Sequence, residues 1–265
     1  KLQKTIFKNT LVIMNKLLQT KIFDLLKDEF PDSDDNYILQ NIDHLVECLN
    51  KETIFLDIPS LKKWLQKIKT NLPADISTVP LRDIEGGWGF NEQSGNYQHE
   101  TGGFFQIIGV RTETNIRESG KGWDQPMLDQ GTESSVAGLI KKKFSDTYYY
   151  LIEAKFEPGN FDKVLFSPTL QVTYDNLNKL HSGRKPLFAE YFDGNNSSTK
   201  VIYQHWYPED GGRFYLKRVK NMLVEINDDI EIPDGFQWMT MYQIKMLLKE
   251  DNLINQHLRS IISYL

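Results

Sequence analysis

Glu153 and Lys155 alternate with Ile152, Ala154 and Phe156 in a run that stops at Pro158-Gly159-Asn160. Residues two apart on a strand share a face, so a carboxylate and an ammonium group are expected side by side. Such a pair suits proton transfer in a ligand groove, and it equally suits an ordinary salt bridge on a solvated strand. Gln171, Thr173 and Asn176 form a second polar set behind the stiff Ser167-Pro168-Thr169 entrance. Their amides and hydroxyl fit ligand oxygens, and the same groups cap turns. Lys217, Arg218 and Lys220 precede Asn221; the fork of Arg218 matches adjacent phosphate oxygens, although an exposed charge run has the same composition. In an alternating strand Arg218 and Lys220 face together and Lys217 faces away. Trp123 and Trp88 stand in glycine-containing segments, where an indole either meets a planar base or anchors a loop.

The histidines form no metal triad and no His-Glu-x-x-His. His205 lies in Gln204-His205-Trp206-Tyr207, His99 and His181 read as loop residues, and His44 and His257 fall in helical patterns. Cys48 is the one cysteine, which excludes an intrachain disulfide and a cysteine-rich zinc site. Its neighbours Leu45, Val46 and Leu49 mark it as a small buried helix residue. Lys and Arg number 31 against 36 Asp and Glu, for a formal net charge of -5, so wholesale nucleic-acid binding is not expected. No apolar run approaches the roughly 18 residues of a membrane span, and no signal-peptide pattern is visible. A cytoplasmic protein is the resulting expectation.

The elements that position these residues fall into two regions. Over residues 1–74, Ile6, Leu11, Met14 and Leu18, then Ile38, Ile42 and Leu45, then Leu61, Trp64, Leu65 and Ile68 recur at helical spacing and predict a packing or dimerising extension. Over residues 75–265 strands are predicted at 104–110, 148–156, 187–192, 200–207, 214–216 and 222–226, with helices returning through Ile244, Leu247, Leu258 and Ile261. Strands with interspersed and appended helices point to an α+β domain.

Several separated segments together resemble one module of the NDP-hexose 2,3-dehydratases: Gly102-Gly103-Phe104-Phe105, Gly122-Trp123-Asp124-Gln125-Pro126, Glu153 through Asn160, Ser167 through Thr173 with Asn176, Phe214 through Glu225, and Phe236-Gln237-Trp238 with Gln243-Ile244. The resemblance covers roughly residues 75–265. It implies a Nudix-like mixed sheet flanked by helices, with the N-terminal helices as an extension. Family members carry two such modules in tandem, so a single module implies either a homodimer or a partial function. Any metal-binding Nudix motif, Gly followed by Arg-Glu-x-x-Glu-Glu, is missing from the sequence, and no diphosphate hydrolysis is expected.

The resemblance also implies a reaction. In a dTDP-linked 4-keto-6-deoxyhexose the ketone acidifies the C3 proton, a base removes it, donors near O4 hold the enolate, and an acid assists departure of the C2 hydroxyl. No redox change occurs, so neither a cofactor nor a metal is expected, and a ketoreductase would act next. On this reading Glu153 is the expected base, with Lys155 or Tyr174 near the developing charge. Trp88, Trp123, Gln171, Thr173, Asn176, His205, Arg218 and Asn221 are the expected substrate contacts. His205 sits where the family pattern is shorter and Gln-Ser-Glu-Gln-Gly-like, a departure that bears on substrate choice or on catalysis itself. A noncatalytic nucleotide-sugar binding subunit and a 4-keto-sugar isomerase or epimerase are the competing expectations.

Overall fold

The computed structural model describes residues 17–115, 122–173, 186–194 and 196–265. Tyr174, Asn176 and His181 lie outside the described residues. Three helices come first: α1 (described over residues 17–29), α2 (Asp35–Leu49) and α3 (Ile58–Asn71). Asp34 caps α2 by accepting from the Tyr37 N–H, and Asp57 caps α3 by accepting from the Ser60 N–H, with Pro59 in the first turn. Each cap satisfies a donor that the helix start leaves open.

Two sheets follow. Strands β1 (Trp88–Phe90), β2 (Tyr97–His99), β3 (Gln106–Thr112) and β4 (Trp123–Asp129) form an antiparallel meander. The large sheet holds β5 (Glu133–Phe144), β6 (Thr147–Phe156), β7 (Val164–Ser167), β8 (Leu170–Thr173), β9 (Thr199–Pro208), β10 (Arg218–Ile226) and β11 (Phe236–Met239). Its order is β11-β6-β5-β10-β9, with β7 on β6 and β8 on β5. The β5–β10 pairing is parallel and the others are antiparallel. Helices α4 (Met241–Leu247) and α5 (Gln256–Ile262) close the chain.

The centre of the large sheet is a fork. β5 and β6 pair from Phe144 and Thr147 as far as Ile140 and Leu151, after which β8 continues along β5 and β7 along β6. Thr169 sits at the parting point: its Oγ1 accepts from the Ile140 N–H at 2.9 Å and donates to the Leu151 carbonyl at 2.6 Å. One buried hydroxyl thus replaces both halves of a missing ladder bond. The segment before α5 enters beside β7, where the Phe166 N–H donates to the Leu253 carbonyl and the Asn255 N–H to the Phe166 carbonyl.

Alternation along the strands builds a core on each face. Ala137, Leu139, Tyr150, Ile152 and Leu223 meet Leu61 and Leu65 of α3 together with α4 and α5. Val136, Ile140, Tyr149, Leu151 and Met222 meet Phe188, Tyr191 and Phe192 on the other side. Burying each of these large side chains contributes about 1.5–3 kcal/mol. Helix α2 is tied to the sheet by Glu47, whose carboxylate takes the Lys141 ammonium at 2.7 Å and the Tyr150 hydroxyl at 2.5 Å.

The expected α+β class, the mixed sheet with flanking helices and the N-terminal helices are what the chain adopts. Residues 187–192, expected as a strand, instead form a turn around a short 3-10 segment (Ala189–Tyr191). Its apolar residues all bury on one core, which a tight turn achieves as well as a strand does. Residues 214–216 contribute only an isolated bridge, Leu128 to Phe214. Trp123, expected in a loop, begins β4, and β5, the strand on which the large sheet is built, has no counterpart among the expected strands. No helix among the described residues is long and apolar enough to cross a membrane.

Candidate active site

The open end of the fork gathers polar side chains from four directions. Gln171, on β8, accepts at Oε1 from Ser167 Oγ at 3.1 Å and from Asn255 Nδ2 at 2.7 Å, and donates from Nε2 to Glu157 Oε1 at 2.7 Å. Asn255 also donates to Ser167 Oγ at 2.9 Å while its own Oδ1 caps α5 by accepting from the Leu258 N–H. Both Ser167 and Asn255 are buried. This network fixes the carboxylate of Glu157 where β6 ends and α5 begins.

Glu157 is the hub of a wider charge cluster. Burial raises the Glu153 carboxyl above the usual range, Lys155 at 3.3 Å pulls it back, and Glu157 adds to the rise. Burial likewise raises the Glu209 carboxyl, opposed by Lys217 at 3.7 Å and reinforced by Asp210 and Glu157. The Lys217 ammonium is lowered by the same burial, with Glu209 opposing. His257, on the first turn of α5, is pushed down to about 4 by burial and by Lys217 and Lys155, against the pull of Glu157. Seven ionisable groups, from β6 and the residue after it, the β9–β10 connection and α5, therefore form one cluster of interacting charges. Side chains displaced toward their neutral forms mark candidate acid–base chemistry.

The Glu209–Lys217 pair borders a cavity of about 560 Å³ whose lining includes Met127, Thr132, Phe214, Tyr215 and Arg218. Each of the two side chains is only 9% exposed, Lys217 lies 4.5 Å from the centre of the Phe214 ring, and Gln256 Nε2 donates to Glu209 Oε1 at 3.1 Å. Tyr215 N–H donates to the Leu128 carbonyl, and the Leu128 N–H to the Arg213 carbonyl, so β4 of the meander forms one wall. Nothing in the sequence reading singled out Glu209, Glu157, His257 or Asn255. Alternation assigned Lys217 to the face away from Arg218; Lys217 lies before β10 begins, and both residues line this cavity.

The expected site residues divide among several places. Glu153 and Lys155 are the side-by-side pair anticipated on β6, and Gln171 joins them through Glu157. Asn221 registers with Ala137 on one side and His205 on the other, and Ala137 registers with Gln171. Paired residues project to one face, so Gln171, Asn221 and His205 form a row on the face of the sheet that α5 packs against. Asn221 is buried, and its Oδ1 has no hydrogen-bond partner among the described residues. Thr173 registers with Ser135 one row on.

Arg218 projects to the opposite face from Asn221, pairs with Glu133 and lies 5.8 Å from the Trp206 ring at the cavity rim. Trp88 and Trp123 belong to the meander. Trp88 is 5.0 Å from Phe105 and stacks on Tyr97 at 6.2 Å; Trp123 is 42% exposed and donates from Nε1 to Gln125 Oε1 at 2.6 Å. Among the described residues, no group of three His, Cys, Asp or Glu side chains is placed to hold a metal ion.

This architecture overlaps parts of several solved structures. The solved structures that overlap it include an Ap4A hydrolase of C. elegans (14% identity, TM-score 0.31, covering 50% of this chain and 97% of that one) and a hydrolase of ADP compounds (9%, TM-score 0.36, covering 60% and 83%). At these scores the overlaps carry no chemistry across. Among sequences, a 2,3-dehydratase of dTDP-4-dehydro-6-deoxy-alpha-D-glucopyranose from Amycolatopsis orientalis is 34% identical over 209 residues, covering 77% of this chain and 44% of that protein. Another with the same name from Saccharopolyspora spinosa is 34% identical over 176 residues, covering 66% and 36%. The chain spans less than half the length of the curated relatives it matches. The sequence model of the NDP-hexose 2,3-dehydratases matches residues 59–265, from α3 to α5 and through both sheets, and the chain belongs to that family.

Proposed function

We propose that the protein removes water across C2–C3 of an NDP-4-keto-6-deoxyhexose, with dTDP as the nucleotide named for its relatives. The observation that carries this reading is the Glu209–Lys217 pair at the wall of a ligand-sized cavity, both members displaced toward neutrality. Glu209 takes the C3 proton, and the electron pair moves onto O4 as the enolate. The enolate collapses, the C4 carbonyl re-forms, a C2–C3 double bond appears, and the C2 hydroxyl leaves as water with a proton from Lys217. The enol tautomerises to the 3,4-diketo-2,6-dideoxy sugar, which a ketoreductase would consume. Proton transfer by positioned groups of this kind contributes about 10²–10⁴-fold to a rate.

Glu153 is the second candidate for the proton acceptor, favoured by its own raised carboxyl and by the adjacent Lys155. Arg218 at the cavity rim supplies a fork for the diphosphate. A second copy of the chain suits the leucines left exposed on the N-terminal helices, Leu25 at 69% and Leu49 at 66%.

The test is incubation of the protein with dTDP-4-keto-6-deoxyglucose in D2O, followed by NMR at C3 and C2. Exchange at C3 and loss of the C2 hydroxyl support the reading. Exchange without loss selects an isomerase or epimerase, and tight binding with neither selects a binding subunit. Loss of exchange in Glu209→Gln but not in Glu153→Gln assigns the base to Glu209; the reverse assigns it to Glu153.

A further inference from the structure

The meander holds a second cavity, about 730 Å³, that the chemistry above leaves unused. We propose that it receives the pyrimidine base of the nucleotide, stacked on Phe104. This rests on the nucleotide-sugar reading and adds the place where the nucleotide end is recognised. Its volume lies within the range of small-molecule sites, about 300–1,000 Å³.

Its lining combines the two features a planar base requires. Three carboxamides, Gln98, Gln106 and Gln130, line it together with Phe104 and Phe105. A carboxamide offers a donor and an acceptor side by side, the complement of a pyrimidine imide edge. Gln106 is already oriented: Asn96 Nδ2 donates to its Oε1 at 2.9 Å, and its Nε2 donates to Asp129 Oδ2 at 3.0 Å. Gln98 registers with Gln106 across β2 and β3, so both side chains stand on one face.

Phe104 is held in an unusual way. Its φ is +66°, in the left-handed region that non-glycine residues rarely adopt, and the residue remains 39% exposed. Such a conformation is strained and persists where surrounding structure imposes it, often at ligand clamps. Here the imposed result is an aromatic face at a cavity, backed by Trp88 at 5.8 Å and His99 at 4.9 Å. A base stacks on an aromatic side chain through its π-face.

Charge decides which part of a nucleotide belongs here. Among the described residues, Asp129 is the only charged one in the lining, and its carboxylate accepts from Gln106 and from the Gly131 N–H. A diphosphate would be repelled. The neighbouring cavity contains Lys217 and Arg218, and the single stretch from Met127 to Thr132 lines both spaces. The base therefore sits in the meander with the phosphates directed toward the cations.

The experiment uses Phe104→Gly, because glycine adopts the left-handed conformation without strain. Calorimetric binding of dTDP, thymidine and inorganic pyrophosphate is measured for the protein and for the variant, alongside thermal melting. The expected result is an affinity for dTDP and thymidine at least fivefold weaker in the variant, with pyrophosphate binding unchanged and a melting temperature equal or higher. Phe104→Leu, which keeps apolar bulk but no ring, should show the same loss. Unaltered dTDP affinity in the variants overturns the proposal, as does failure of the unaltered protein to bind dTDP or thymidine at millimolar concentration. These readings need no turnover, so an absence of dehydration with base binding intact would sink the reaction and leave the pocket standing.

Discussion

Gln171 donates its Nε2 to Glu157 Oε1 over 2.7 Å while its Oε1 is shared between Ser167 and Asn255. Its amide is thus engaged on both sides by the protein, and its role is to hold Glu157 within the charge cluster. Gln171→Leu, close in size, would leave a carboxylate and two buried donors without their partner. Each unsatisfied buried group costs about 1–3 kcal/mol. Urea unfolding should show a lower midpoint at an unchanged slope; a midpoint equal to that of the unaltered protein would show that the network adds nothing.

Thr169 offers a cleaner case because its hydroxyl serves two backbone groups at once. Thr169→Val preserves shape and strands the Ile140 N–H and the Leu151 carbonyl in the core, an expected loss of about 2–4 kcal/mol. Thr169→Ser keeps the hydroxyl and should lose under about 1.5 kcal/mol, one methyl group's burial. Equal losses in the two variants would mean that the fork is held by packing.

The fork explains how far the sequence could be read. Period-two alternation exposed β6, β9 and β10, and Glu153 and Lys155 met as that alternation required. By contrast, β5 has small residues in its most buried stretch, Ala137 and Gly138, so its apolar signal is thin. Gly138 is demanded by contact: a Cβ there would lie 2.3 Å from the Phe192 ring. His257 reads only as a helix residue and Asn255 is not singled out at all, because nothing local says that the segment before α5 inserts beside β7. Glu209 and Lys217 are eight residues apart and meet only because the connection between β9 and β10 folds back, the Glu209 N–H reaching the Lys217 carbonyl at 3.0 Å.

That meeting gives a kinetic prediction. Lys217 holds the Glu209 carboxyl down against the rise caused by burial. In Lys217→Met the restraint is gone, and the Glu209 pKa should climb. If Glu209 is the proton acceptor, the acidic limb of the kcat/KM profile moves to higher pH with it, beyond any fall in rate from loss of the acid. A depressed rate with an unmoved limb would remove Glu209 from the role.

His257 makes the stability of the fold depend on acid. Its folded-state pKa is about 4 against an ordinary 6.5, with burial as the main cause. The unfolded chain therefore binds a proton through this interval and the folded chain does not, so stability falls as pH drops from 6.5 toward 4 and this contribution levels off below. The full shift corresponds to at most about 3 kcal/mol. Glu157 faces His257 from β6 and moderates the shift, while Lys155 and Lys217 deepen it. His257→Gln removes the titrating group and leaves the carboxylates in place. The difference in unfolding free energy between the two proteins should then narrow, or reverse, between pH 6.5 and 4.5, and a difference that stays constant across that range would refute a neutral buried imidazole at this position.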